Sequence, residues 1–412
     1  MTSKNLTVVS LFSGAGGLDL GFKQAGFDIL WANDFEKDAV ETYKNNIGHE
    51  IVFGDIRNIP SSAIPDNPDV VLGGFPCQGF SVANIRRNME DKRNFLYKEL
   101  LRVVKDKQPK VFIGENVKGL LSMQGGKVID MIKNDFENVG YKVSVTLVTA
   151  SDYGVPQNRE RVIIFGNRIG LDTKLDIKKT KNAKNVCDVI GFLANTWITN
   201  NQIIVDGRVI NNHIAATNVH DKFYGRKNPP KQEDICDYLK YWRKKSGLST
   251  KKIDEIFGYA HTAGHWFRKD NNSGSIPKPD DWWKLKQILK FDDKYDKQVT
   301  EMELKNIKFE QSLRITNWDT PSDTITATSP EIHVNKKRRL SVRECAILQT
   351  FPDDFVFTGS LNSMYRQIGN AVPPLLGKTI AEFVKKSITK YNNEFNDINK
   401  KQRKEKMTWQ KT

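Results

Sequence analysis

The first 166 residues alternate short β-rich runs with amphipathic stretches, and this alternation restricts the fold more than any other property of the chain. Leu6–Phe12, Asp28–Trp31, Asp69–Leu72, Lys110–Gly114, Val143–Val148 and Arg161–Phe165 read as strands. Between several of them Gly17–Ala25, Glu36–Asn45, Phe95–Val104 and Lys127–Asn138 read as helices. In Phe95–Val104 the apolar residues Leu96, Leu100, Val103 and Val104 fall on one helical face. Strands alternating with helices predict an α/β domain with a mostly parallel, doubly wound sheet covered on both sides.

From about Leu171 to Asn335 the alternation stops, and the chain becomes rich in Lys, Asn and Trp. The expected division is a first domain over 1–170, a smaller inserted domain over 171–335, a return over 336–390, and a basic tail over 391–412. A chain of 412 residues is long enough for this. In the return, Leu340–Leu348 and Leu375–Ile388 read as helices. The stripe Leu376, Ile380, Phe383, Val384 and Ile388 predicts a core-facing helix. The tail carries Lys400, Lys401, Arg403, Lys404 and Lys406, and is expected to fray.

The formal charge is +15, which points to a polyanionic partner, nucleic acid ahead of a membrane surface. A merely solvated charged surface is the competing reading. No apolar run approaches the ~18 residues of a membrane span, and Met1–Val9 lacks a signal-peptide layout. Cys77, Cys187, Cys236 and Cys345 are scattered and form no CxxC pair, so no metal site and no disulfide scaffold is expected. A reducing, cytoplasmic setting fits.

Leu6–Phe12 runs into Ser13-Gly14-Ala15-Gly16-Gly17 and then a helix. Strand, glycine turn and helix N-terminus together suit a nucleotide-bearing ligand, because glycine lets backbone approach it and the helix end presents free N–H groups. Asp34 follows about 20 residues on, where an acid can accept a ribose hydroxyl. A nicotinamide dinucleotide and S-adenosyl-L-methionine both fit. The missing third small residue of G-x-G-x-x-G tilts the reading from the dinucleotide. Asp55 can reach an adenine end or simply close a turn.

Asp69–Leu72 leads into Gly73-Gly74-Phe75-Pro76-Cys77-Gln78. This sets Cys77 at the C-terminal end of a strand, where open α/β sheets place their chemistry. The next strand ends in Glu115-Asn116-Val117, and Gln157-Asn158-Arg159-Glu160-Arg161 supplies two arginines on one face of an extended segment. One chemistry uses these parts together. A thiolate adding at C6 of cytosine activates C5, a glutamic acid donates to N3, an arginine holds O2, and the C5 proton and the thiol leave after methyl transfer.

With these motifs in one order, the sequence resembles the bacterial DNA cytosine-5 methyltransferases. The resemblance is carried by Phe12–Gly17, Pro76-Cys77-Gln78, Glu115-Asn116-Val117 and Gln157–Arg161, then by Arg339–Ala346 and Gln367–Pro374. It implies a Rossmann-like S-adenosylmethionine domain. It also implies Cys77 as nucleophile, Glu115 at the N3 edge, Asn116 positioning the cysteine loop, Arg161 on the cytosine, and Arg159 bracing the loop and a phosphate. Phe12, Gly14, Gly16, Gly17, Leu18, Asp34, Phe35, Asp55, Ile56, Pro76 and Leu96 would line the cofactor site, completed by Asn370 and Val372. Phe35 stands where many relatives carry tryptophan. Gly79–Asn94 resembles the loop that closes over DNA, with Ser81 and Arg93 on the backbone beside a flipped base.

By position the insert resembles a target recognition domain. Ile235–Lys245, Thr250–Phe257, Thr262–Lys269 and Asp280–Leu289 read as short helices, with Ser249 as an N-cap. They suit a helix-turn-helix offering Thr262, His265, Arg268 and Lys269 to a major groove. Equally, Trp242, Trp266, Trp282 and Trp283 build a small core. Thr324 matches a threonine element that supports base contacts in the family, or else is an ordinary strand residue. The implied partners are double-stranded DNA and, functionally, a cognate restriction endonuclease, with the enzyme a monomer. A short palindrome is expected as target, with GATC named only from size and composition. A tRNA methyltransferase, a nicotinamide oxidoreductase and a non-catalytic DNA-binding regulator are the rivals. The oxidoreductase leaves Cys77 and Glu115 without roles, and the tRNA enzyme leaves the insert unexplained.

Overall fold

The computed structural model describes residues 5–76, 96–171, 175–180, 184–217, 232–257, 266–267, 276–304, 315–327, 331–335 and 338–409. Cys77, Ser81, Arg93, Thr262, His265, Arg268 and Lys269 lie outside these residues.

The larger of two compact units comprises residues 1–215, 317–330 and 341–412. Its centre is a seven-stranded sheet of β1 (Leu6–Leu11), β2 (Phe27–Asp34), β3 (Ile51–Phe53), β4 (Val70–Gly73), β5 (Val111–Val117), β6 (Lys142–Thr149) and β7 (Glu160–Asn167). The spatial order is β3-β2-β1-β4-β5-β7-β6, parallel except for β7, which runs antiparallel to both β5 and β6. The alternation therefore predicts the architecture correctly, including helices α1 (Gly17–Gln24), α2 (Lys37–Asn46), α3 (Leu96–Lys107) and α4 (Lys127–Asn138).

Two apolar layers sandwich the sheet. On one face Leu18 and Phe22 of α1 pack with Leu376, Ile380, Val384 and Ile388 of the helix Pro374–Trp409. The apolar stripe is thus core-facing, as its spacing predicts. On the other face Leu100, Val103 and Val104 of α3 join Ile132 and Phe136 of α4.

The unit boundaries differ from those expected. Residues 171–215 group with the larger unit, since Leu175 and Ile177 enter its sheet-face core. Residues 317–330 also belong there. The smaller unit comprises 216–316 and 331–340 and holds the helices Gln232–Ser246, Thr250–Phe257, Pro279–Leu289 and Asp296–Leu304. Ser249 accepts from the Lys252 amide at 3.1 Å, a helix-capping bond. Trp266 and Trp282 are buried with Ile235, Leu239, Ile253 and Leu285, whereas Trp283 is largely exposed. The Trp282 indole donates to Asp296 at 2.7 Å, which satisfies its polar edge inside that core.

Candidate active site

The site grows from the ends of adjacent strands. At the end of β1 the backbone turns sharply, with left-handed Phe12 (φ 56°), Gly14 (φ 54°) and Gly16 (φ 87°). A non-glycine residue in that region is uncommon, and Phe12 marks where the strand breaks into the loop. The turn is fixed from β2. Ser13 N donates to Asn33 O at 3.0 Å and Gly14 N to Asp34 Oδ2 at 2.8 Å. Asp34 Oδ1 accepts from Glu36 N at 2.8 Å. Burial pushes the Asp34 carboxyl up, against the lowering pull of those two amides.

Gly17 is needed for contact across the chain. A Cβ there would lie 2.3 Å from Val372 O, so two segments 355 positions apart in the sequence are in direct backbone contact. Val372 is buried, and Asn370 beside it is exposed. Above Gly14 a Cβ would meet open space among the described residues. Phe35, at the end of β2, is 59% exposed and presents a free ring. Asp55 caps the turn after β3 and is chelated by Arg57, whose Nε lies 2.9 Å from Oδ1. That bond holds the Asp55 carboxyl below its ordinary value. Leu18 and Ile56 are buried, so each supports the loop from within the core. Pro76 and Leu96 are half-buried. This arrangement fits S-adenosylmethionine: an open glycine cradle, an exposed aromatic, carboxylates at two strand ends and an exposed amide from the far end of the chain.

One strand over, Glu115 is buried and ion-paired to Arg161, Oε1 to Nε 2.7 Å. The antiparallel register that pairs Val117 with Arg161 and Asn116 with Val162 makes this diagonal contact possible. The Nε–H does not align with the carboxylate as a hydrogen bond, so the contact is electrostatic. Burial pushes the Glu115 carboxyl up, and the charges of Arg161 and then Arg159 pull it partly back. The net direction is upward, toward a carboxyl that holds its proton more readily. Gly74 connects the two halves of the site: a Cβ there would stand 3.4 Å from Glu115 Oε2 and 3.8 Å from Phe12 O.

Asn116 donates from Nδ2 to Phe75 O at 2.9 Å and accepts from Val117 N at 2.8 Å. The side chain thus fixes the backbone two residues ahead of Cys77. Arg159 is fully buried and gives Nη1 to Ile325 O at 3.1 Å and Nη2 to Gly369 O at 2.7 Å. Burial and the like charge of Arg161 hold its guanidinium well below the ordinary arginine value. As placed it ties three chain segments together and offers no exposed face to a phosphate. Thr324 belongs to the larger unit and donates to Asn158 O at 2.9 Å, which holds residues 156–159 against 322–325.

Sequence reasoning does not single out Gln157, whose Oε1 receives Ile325 N at 3.1 Å, as a buried joint in this assembly. It also passes over Lys118, which meets Glu160 at 2.8 Å on the rim beside Glu115 and Arg161. Lys118 could be found only by knowing that β5 and β7 are neighbours, and Gln157 only by knowing that residues 322–325 return to lie beside 156–159.

A family model described as C-5 cytosine-specific DNA methylase matches residues 6–386. The type II methyltransferase M.NgoFVII of Neisseria gonorrhoeae is 36% identical over 378 residues, 90% of this chain and 84% of its own length. The type II methyltransferase M1.HphI of Haemophilus parahaemolyticus is 32% identical over 394 residues, 93% of this chain and 88% of its own. Among solved structures, a DNA modification methyltransferase encoded within an E. coli prophage superimposes with a TM-score of 0.59. It is 24% identical and covers 93% of this chain and all of its own, a likeness of fold.

Proposed function

The chain belongs to the C-5 cytosine-specific DNA methylases, and from that premise we propose that it moves a methyl group from S-adenosyl-L-methionine to C5 of a cytosine flipped out of a short specific duplex sequence. The observation that carries this reading is the buried Glu115–Arg161 pair, set beside the Phe75 carbonyl that Asn116 holds.

The bound donor supplies an electrophilic methyl group on its sulfonium. Everything else falls to the residues of the chain. Cys77 Sγ, as thiolate, adds to C6 and forms a C–S bond. Glu115, with its carboxyl pushed up by burial, gives a proton to N3 as negative charge develops on the ring. Arg161 holds that carboxyl and the O2 edge. As C5 gains the methyl the donor would leave as its neutral thioether; C5 then loses its proton to a base, the C6–S bond breaks, N3 returns its proton to the Glu115 carboxylate, and the thiolate and the aromatic ring are restored. A base stacked in a duplex presents neither C6 face, so flipping is required.

The glycine loop, Phe35, Asp55, Asn370 and Val372 form the donor site in this reading. In this reading the smaller unit reads the target, with Thr262, His265, Arg268 and Lys269 as its base-contacting residues. The enzyme acts as a monomer in the cytoplasm and protects host DNA from a cognate restriction endonuclease; the relatives named type II methyltransferases support the modification role alone. Among the described residues no helix is long and apolar enough to cross a membrane.

Transfer of tritium from methyl-labelled S-adenosylmethionine into duplex DNA and, separately, tRNA tests this. Label at C5 of cytosine in one duplex sequence, mapped by bisulfite, is the expected result and also names the target. Label only in tRNA overturns the DNA reading, and label in neither removes the cysteine chemistry.

A further inference from the structure

Beneath the glycine loop lies a buried carboxylate that the reaction does not use. Asp19, in the first turn of α1, is 1% exposed. Its Oδ1 accepts from the Ser10 hydroxyl of β1 at 2.7 Å, and its Oδ2 accepts from the Tyr43 hydroxyl of α2 at 2.8 Å. Ser13 in the loop itself reaches Ser10 Oγ at 3.1 Å. The Tyr43 ring also walls the loop, since a Cβ on Gly16 would fall 2.8 Å from it. One carboxylate therefore joins the strand before the loop, the helix after it and the helix that backs it.

We infer that Asp19, through Ser10 and Tyr43, is a positioning residue that holds Ser13–Gly17 in the shape that receives S-adenosylmethionine. This rests on reading that loop as the donor site. A carboxylate suits the task because each oxygen accepts one hydroxyl without competing for it, and charged acceptors make the stronger bonds. An asparagine of the same size has one oxygen to offer the two donors. Gly14 and Gly16 adopt their left-handed backbone freely, but Phe12, where the strand enters the loop, disfavours the conformation it adopts and depends on its surroundings to hold it. Loss of the clamp lets the loop relax, and donor binding then has to restore its shape.

The test measures donor affinity by calorimetry on the full chain, with duplex DNA affinity, thermal midpoint and steady-state rates alongside. Asp19→Asn should weaken S-adenosylmethionine binding about tenfold or more, the scale of a charge-assisted bond. KM for the donor should rise while kcat and DNA affinity stay near wild type, the pattern of lost ground-state binding. Tyr43→Phe should weaken donor binding by less, and the double variant should be no worse than Asp19→Asn alone. If Asp19→Asn does not fold, Tyr43→Phe and Ser10→Ala keep the carboxylate and carry the test. Donor affinity unchanged in the variants, with only the thermal midpoint lowered, overturns the positioning role. A wild-type chain that does not bind S-adenosylmethionine at all overturns the donor reading itself.

Discussion

Asn116 holds the carbonyl of Phe75, and the chain continues through Pro76 to Cys77, so the proposed nucleophile hangs from a backbone point fixed by its neighbour strand. Cys77→Ser should abolish turnover and leave donor and DNA binding intact. Turnover above a few per cent of wild type in the tritium assay removes the nucleophile assignment. Glu115→Gln keeps the shape but loses the proton, and its rate should fall roughly 10²–10⁴-fold. A smaller loss leaves N3 protonation to another group. Asp19 makes a separate prediction. Burial raises its carboxyl from 3.8 to about 6, so the folded chain binds that proton more tightly than the unfolded chain. The shift contributes ~3 kcal/mol below pH 4 and that stability is lost as the pH rises through about 6. Denaturant unfolding should therefore show wild type gaining on Asp19→Asn as the pH falls from 7 to 4. A flat difference means that Asp19 titrates like an exposed acid. At this scale the sequence is informative where a residue type is unusual for its place. Glu115 and Asn116 are polar residues closing an apolar strand, so they stand out. Asp19 does not, because an acid in the first turn of a helix is expected for its dipole alone. Its partners Ser10 and Tyr43 gain meaning only when β1, α1 and α2 meet.

Among the secondary-structure elements, the contact of α1 with the segment before the helix Pro374–Trp409 depends on a missing side chain. Gly17→Ala places a methyl 2.3 Å from Val372 O, backbone that cannot swing away. Donor affinity and the thermal midpoint should both drop, whereas Gly14→Ala, whose Cβ meets open space, should lose mainly through its left-handed backbone. Equal behaviour of the two variants would mean that 371–372 does not pack on the loop. The alternation of strands and helices makes most elements legible, but three features stay hidden for physical reasons. β3 has only Ile51-Val52-Phe53, with two of the three exposed, too short to show a period. The reversal of β7 leaves no mark, since a strand buried on both faces reads alike in either direction. The helix Leu361–Asn370 mixes buried Ser363 and Gln367 into its apolar face, which masks the helical spacing. Residues 171–215 read like the insert in composition, yet a few apolar residues among many polar ones suffice to fix them to the larger unit.

The whole molecule carries a net charge of +15, and its proposed substrate is a polyanion. Duplex affinity should fall steeply with salt, by about a thousandfold between 50 and 200 mM if some six phosphates are contacted. A flat response in a filter-binding titration would mean that the excess charge lies away from DNA. The two-unit division is also visible in the sequence, because the βα alternation stops where the smaller unit lies; the boundaries are not, because the chain crosses between units four times. The meeting of Gly17 with Val372 has a consequence for synthesis. A ribosome adds roughly 5–20 residues per second, so 355 residues take about 20–70 s. During that interval Leu18 and Phe22 lack the helix that covers them, and the donor loop lacks its far wall. The nascent chain thus exposes the apolar face of α1 for most of its synthesis, and the fold around the loop closes only once the last tenth of the chain has been made.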